Sequence, residues 1–325
     1  MPAPAVSAPA KLFLFGEYAV LGGARALVQA TGRCVTARLT PGQNAYRVVG
    51  ADLSAELALP RAALNALQRT DGDAALHDLT LDVSALYERG QKLGLGSSAA
   101  STVAIIKALA PHLSPAQTFE VAHRAHRALQ GGRGSGADVA SSAFGGTIAY
   151  RLTTSSLPAP ADLLLRDLPP RDGEAYIADA AILPALQLPT DLKLSAVWTG
   201  EPASSVSFIK GLTAAWHKDF EKVASTLQAL GHQAERALDA CLTDDTAVWL
   251  DALGEGDRGM ERLGEICDLP IITPAHRRLR EQARTLGARV KPSGAGGGDF
   301  SLVAWHRSQP APTALFENTI TLELH

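Results

Sequence analysis

Cysteine is scarce in this chain. Three occur among 325 residues, Cys34, Cys241 and Cys267, odd in number and widely spaced. That spacing excludes a zinc-ligand pattern and a disulfide framework, and it suits a reducing compartment, so a cytoplasmic location is expected. Charge is also sparse and nearly balanced, 30 Lys and Arg against 33 Asp and Glu, for a net charge of −3. No global field would draw in nucleic acid, and any anion site has to be local. Apolar runs long enough to span a membrane are missing, as is a basic segment followed by an apolar core at the start of the chain. There is no internal repeat and no Gly-x-x-x-x-Gly-Lys-Ser/Thr phosphate loop. The expectation is a monomer or homodimer acting on small molecules, with neither nucleic acid nor membrane as partner.

Glycine is plentiful, and it gathers in loops. The most informative is Lys92-Leu93-Gly94-Leu95-Gly96-Ser97-Ser98-Ala99-Ala100. Two glycines permit a tight turn and close approach of backbone to a ligand. Ser97 and Ser98 offer hydroxyls and a helix N-cap, and the apolar run from Ala99 to Leu109 reads as a buried helix. A glycine turn at a helix N-terminus presents free N–H groups and the positive end of the dipole, which suits phosphate. Gly94, Gly96 and Ala99 also fit the dinucleotide pattern Gly-x-Gly-x-x-Gly/Ala, but that loop normally ends the first strand of its domain, and this one lies far into the chain.

Read in order, Lys11 to Leu21 predicts a strand, a glycine turn and a second strand. Residues 26–30 and 33–40 continue in β-rich fashion, Pro60 to Arg69 is a short helix, and Leu79, Leu81 and Val83 alternate as a strand. Ser114-Pro115 caps a helix to about Gln130, carrying His123, His126 and Arg127. A second glycine turn, Gly131 to Asp138, runs into a short helix to Phe144, and Thr147 to Leu152 is a strand. Residues 153–173 read as surface loop. Lys193 to Thr199 is a strand, Gly200 to Ser205 a capped turn, and helix covers most of 206–267. Thr273-Pro274 caps a further helix. Ala288 to Lys291 is a strand, Pro292 to Asp299 a third glycine loop, Phe300 to Trp305 a strand, 312–317 a short helix and 319–324 a last strand. This order predicts an α+β chain of two domains, with a ferredoxin-like antiparallel sheet in the second half.

Three stretches in this order, Lys11 to Leu21, Lys92 to Ala100 and Lys291 to Asp299, resemble the three motifs of the GHMP kinase superfamily. The resemblance implies the GHMP kinase fold: an N-terminal domain like domain 2 of ribosomal protein S5 over residues 1–189, and a ferredoxin-like C-terminal domain over 190–325. It places ATP in the crevice between the domains, with its phosphates on the second motif. Within the superfamily, Gln91 to Ser98, Gly134 to Val139 and Trp198 to Val206 look most like the phosphomevalonate kinases. Ala10 stands where the family usually has Gly, and Ser205 where related sequences often have Thr.

The resemblance implies roles residue by residue. Lys11 and Asp138 are the catalytic pair. Lys92, Gly94, Leu95, Gly96, Ser97, Ser98, Ala99, Gly296 and Gly297 hold ATP. Lys11, Glu17, Tyr18, His126, Arg133, Ser135, Gly136, Ser204, Ser205 and Gly296 hold the acceptor. Mg²⁺ is the implied cofactor, with Ser98 as its contact. Mevalonate kinases place a Glu ligand on the helix before the Gly-x-Asp turn. Here the matching residue is His126, a poor Mg²⁺ ligand, which leaves phosphate, water and Ser98, or Glu17 or another carboxylate. The implied acceptor is 5-phosphomevalonate and the product 5-diphosphomevalonate. The basic residues Lys11, Lys92, His126, Arg127 and Arg133, with no carboxylate between Glu120 and Asp138, suit so strongly anionic an acceptor. A mevalonate kinase, an inactive binding homologue and an NAD-linked enzyme are the alternatives.

Overall fold

The computed structural model describes residues 5–43, 45–50, 58–67, 77–132, 134–158, 168–203, 205–317 and 319–325. Its contacts divide the chain into two compact units. The first comprises Met1–Lys11 and Ala30–Gly146, the second Leu12–Gln29 and Thr147–His325. This division is discontinuous and differs from the single cut expected near residue 189, which falls inside the second unit.

The first unit is built on strands β1 (Val6–Phe15) and β2 (Arg25–Pro41), of which it holds the parts up to Lys11 and from Ala30, with β3 (Tyr46–Val49) and β4 (His77–Asp82). β2 runs antiparallel to β4, with Ala37 opposite Leu81 and Leu39 opposite Leu79, and β3 joins β4 in parallel. Helices α1 (Leu59–Ala66), α2 (Ser97–Leu109), α3 (Pro115–Leu129) and α4 (Ala137–Phe144) pack on one another. The short ladder of β5 (Tyr87–Glu88) and β6 (Gln91–Lys92) leads into α2. α2 is buried on nearly every face from Ala99 to Ile106, its small polar residues Ser101 and Thr102 included. α3 begins with a full capping box, Ser114 Oγ accepting from Gln117 N and Gln117 Oε1 from Ser114 N, as the Ser-Pro signal predicts.

In the second unit, β7 (Thr147–Leu152) lies antiparallel to Arg25–Gln29 and to β9 (Ala180–Leu186), which also pairs with β8 (Ala175–Ile177). There follow β10 (Leu192–Trp198), α5 (Ser205–Lys218), α6 (Phe220–Thr243), α7 (Thr246–Cys267), α8 (Pro274–Thr285), β11 (Arg289–Pro292), β12 (Phe300–His306) and β13 (Thr321–Glu323). The last four strands form an antiparallel sheet in the order β11-β12-β10-β13. That is the strand order of the expected ferredoxin-like unit. One expectation is corrected and one element was not anticipated. The second strand expected over Tyr18 to Leu21 is a 3-10 turn, Ala19–Gly22, because Gly16 and Tyr18 take left-handed backbone with φ of 83° and 59°. The hairpin of β8 and β9 was not foreseen. The core gathers Leu212, Trp216, Leu227, Met260 and Ile271, each contributing about 1.5–3 kcal/mol through burial. Trp249 meets Phe15 edge-on with centroids 5.0 Å apart.

Candidate active site

In the first unit, Lys11 near the middle of β1 is tied to the second motif by its backbone, its N–H donating to the Leu95 carbonyl at 3.0 Å. Gly94 and Gly96 both take positive φ, 71° and 79°. Gly96 is also where the catalytic candidates meet. A Cβ on it would stand 3.1 Å from Lys11 Cε and 3.8 Å from Asp138 Cβ. The lysine side chain therefore passes close over Gly96, where a Cβ would press on it and the positive φ disfavours any other residue, with Asp138 beside it.

The N-cap of α2 is Gly96 itself, with no side-chain cap. This corrects the expectation that Ser97 or Ser98 caps the helix. The first-turn N–H groups thus keep no side-chain acceptor, and the dipole's positive end lies uncompensated by any acidic residue in that turn. Ser97 is 2% exposed and its Oγ has no hydrogen-bond partner, while Ser98 is half-buried and Ala99 fully buried. Leu95 points its side chain into the core, so only its backbone is available to a ligand. Lys92 is exposed on β6.

Asp138 sits in the first turn of α4, half-buried, its Oδ1 accepting from Val139 N at 2.9 Å. Gly136, with φ of 79°, is the N-cap, and Ser135 Oγ accepts from Ala137 N at 3.3 Å. His126 is 3% exposed, with Nε2 3.3 Å from Gln130 Nε2. It is buried rather than open to solvent. Arg127 is half-buried. Arg133 and Ser204 lie outside the described residues, as does the side chain of Ser205, whose backbone opens α5.

The second unit holds the other sequence-predicted residues. Glu17 is 3% exposed and makes an ion pair with Lys291, itself 1% exposed. Tyr18 Oη donates to the Ala295 carbonyl at 2.6 Å, and burial drives its phenol well above the ordinary tyrosine pKa. Gly297 N–H donates to Ile271 O at 2.8 Å, and a Cβ on Gly297 would collide with the Phe208 ring. Asp299, which sequence reasoning passed over, fastens this loop to the turn after β10. Its Oδ1 accepts from Ala203 N at 3.0 Å and its N–H donates to Glu201 O at 2.7 Å. The signal was a lone carboxylate closing a glycine run. Among the described residues, no group of three or more His, Cys, Asp and Glu stands ready to hold a metal ion.

Residues 58–146 match the family model described as the GHMP kinases N terminal domain. The chain is 32% identical over 339 aligned positions to the phosphomevalonate kinase of Streptomyces sp. (strain CL190), covering 91% of this chain and 88% of that protein. Among solved structures it is similar to the Lin0012 protein of Listeria innocua, with a TM-score of 0.82 and 24% identity over 99% of this chain and 97% of that one. It is also similar to the Streptococcus pneumoniae phosphomevalonate kinase in complex with phosphomevalonate and AMPPNP, with a TM-score of 0.78 and 20% identity over 97% and 95% of the two chains. The chain has the α+β GHMP kinase fold and belongs to the GHMP kinase superfamily and, within it, to the phosphomevalonate kinase family.

Proposed function

We propose that this chain transfers the γ-phosphoryl group of ATP to (R)-5-phosphomevalonate, giving 5-diphosphomevalonate and ADP. The observation that carries the reading is the convergence of Lys11 and Asp138 on Gly96, at a helix N-terminus that has no side-chain cap. Phosphoryl transfer asks for positioning and charge neutralisation more than for covalent chemistry. The open N–H groups of α2 cradle the nucleotide phosphates, with the backbone of Gly94 to Ser98 around the β- and γ-positions. Lys11 neutralises charge shared between donor and acceptor. A phosphate acceptor is already ionised near pH 7, so Asp138 acts by orienting Lys11 and the attacking oxygen rather than by taking a proton. Ser135 and Gly136, at the turn into α4, are read as further contacts to the acceptor. In the second unit, Gly296 and the backbone opening α5 at Ser205 are read as the further contacts to the acceptor.

The donor set suits Mg²⁺ brought in by the nucleotide. His126 is buried and soft, and Glu17 is engaged by Lys291, so the protein's own contribution falls to the half-buried Ser98 hydroxyl, a hard oxygen of the kind Mg²⁺ takes. When bound, the ion would neutralise phosphate charge. We further read residues 1–189 and 190–325 as the family's N-terminal and C-terminal domains, and the protein as cytoplasmic.

The test is ADP release on mixing purified protein with ATP and 5-phosphomevalonate. Asp138→Asn and Lys11→Met are each expected to lower kcat about a hundredfold or more, the scale of well-placed electrostatic groups. Near wild-type turnover in either variant contradicts its role.

A further inference from the structure

Glu17 and Tyr18 enter the sequence reading as contacts to the acceptor, yet in the second unit both side chains are already committed. The Glu17 carboxylate accepts from Lys291 Nζ, and the same ammonium donates to the Pro292 carbonyl at 2.8 Å. The Tyr18 hydroxyl donates to Ala295 O, and Ser293 Oγ donates to the Phe13 carbonyl at 2.9 Å. Thus three side-chain bonds, the buried ion pair among them, run between the segment 13–18 and the segment 291–295. Lys291 also faces α7, where a Cβ on Gly256 would stand 3.2 Å from its Cδ. Asp257, beside that glycine, interacts with both Lys291 and Arg280, and Arg280 is bound to Glu261 at 2.8 Å.

A buried ammonium is expensive unless it is paired and its donors are used. Packing alone would be served as well by an apolar residue at position 291. The buried cation instead fixes two backbones at once: the turn after β1, where Tyr18 is held at positive φ, and the strand that feeds Gly294 to Gly298. We propose that Lys291, clamped by Glu17, is a positioning residue. It sets the backbone of the third glycine loop, and it acts through that loop on substrate binding without touching substrate. The catalytic consequence rests on the phosphotransferase reading; the loop-setting role does not.

The experiment pairs amide hydrogen exchange with steady-state kinetics on Lys291→Met, Lys291→Arg, Glu17→Gln, Tyr18→Phe and the Lys291→Met/Glu17→Gln double variant. Exchange across residues 293–299 is expected to accelerate at least tenfold in Lys291→Met and Glu17→Gln while α6 stays protected. The double variant should be no worse than the poorer single, since the partners act as a unit. KM for ATP or acceptor should rise about tenfold with kcat less affected, and Lys291→Arg should recover most of the loss. Should Lys291→Met fail to fold, Glu17→Gln and Tyr18→Phe carry the same exchange test. Unchanged exchange in the loop, or effects of the two singles that simply multiply, overturns the proposal. A wild-type protein that releases no ADP with 5-phosphomevalonate sinks the kinase reading and leaves the exchange result to decide the clamp.

Discussion

At the scale of single residues, the second unit concentrates its unusual chemistry in a buried set of ionisable groups behind the third glycine loop. His276, 1% exposed, closes the capping box of α8. Its Nδ1 is 2.9 Å from Thr273 Oγ1 and accepts from Thr273 N. Burial, then the nearby cations Arg280 and Lys291, push its pKa down from 6.5 to about 4. A base depressed in the folded state contributes stability that is present above the unfolded pKa and lost as pH falls toward the folded one. Asp257 works in the opposite sense, because burial raises its carboxyl from 3.8 to about 6. These two groups oppose one another in the same pH range, so a variant is needed to expose the histidine's share. His276→Gln, which retains a side-chain acceptor at that position, is expected to narrow its stability gap to wild type by about 2–3 kcal/mol between pH 7 and pH 4.5. Urea unfolding of both proteins at the two pH values reads this directly, and an unchanged gap would show that the imidazole is not held neutral.

At the scale of elements, local chemistry was legible and tertiary chemistry was not. α3 and α8 are visible in the sequence because Ser114-Pro115 and Thr273-Pro274 write their own start signals, and both capping boxes are present in the structure. The start of α2 was placed within two residues, but its cap was misread. Serine is the better N-cap by propensity, whereas the left-handed backbone at Gly96, with Lys11 passing close over it, favours glycine there. The β8–β9 hairpin was missed because an Ala-rich stretch becomes strand only by pairing with β7. The loop from Gly94 to Ser98 supports a sharp prediction. Gly96→Ala would place a methyl group against Lys11 in a backbone region that costs an L-residue about 1–2 kcal/mol. Thermal melting should shift by only a few degrees, while kcat falls at least tenfold through displacement of the Lys11 ammonium. Undiminished turnover would mean that the lysine's path over this loop is irrelevant to the chemistry.

At the scale of the molecule, the three glycine motifs and their order were readable from sequence, and the α+β class followed from the alternation of strands and helices. The two compact units alternate along the chain because distant segments pair. Arg25–Gln29 pairs with β7 more than a hundred residues later, and no local pattern announces so distant a partner. The same holds for Lys291 and Glu17, which lie far apart in the sequence and meet as a buried ion pair. A chain with a net charge of −3 is proposed here to bring a phosphorylated acid next to ATP, so its cations must be placed locally and the acceptor's phosphate must matter to them. A site that leaves buried polar groups unpaired rejects the ligand lacking the matching group strongly. The most direct measurement is a coupled ADP-release assay on the purified wild-type protein, run side by side with 5-phosphomevalonate and with mevalonate at saturating ATP. The account predicts a kcat/KM at least about a hundredfold higher for 5-phosphomevalonate; equal or greater kcat/KM for unphosphorylated mevalonate would contradict it.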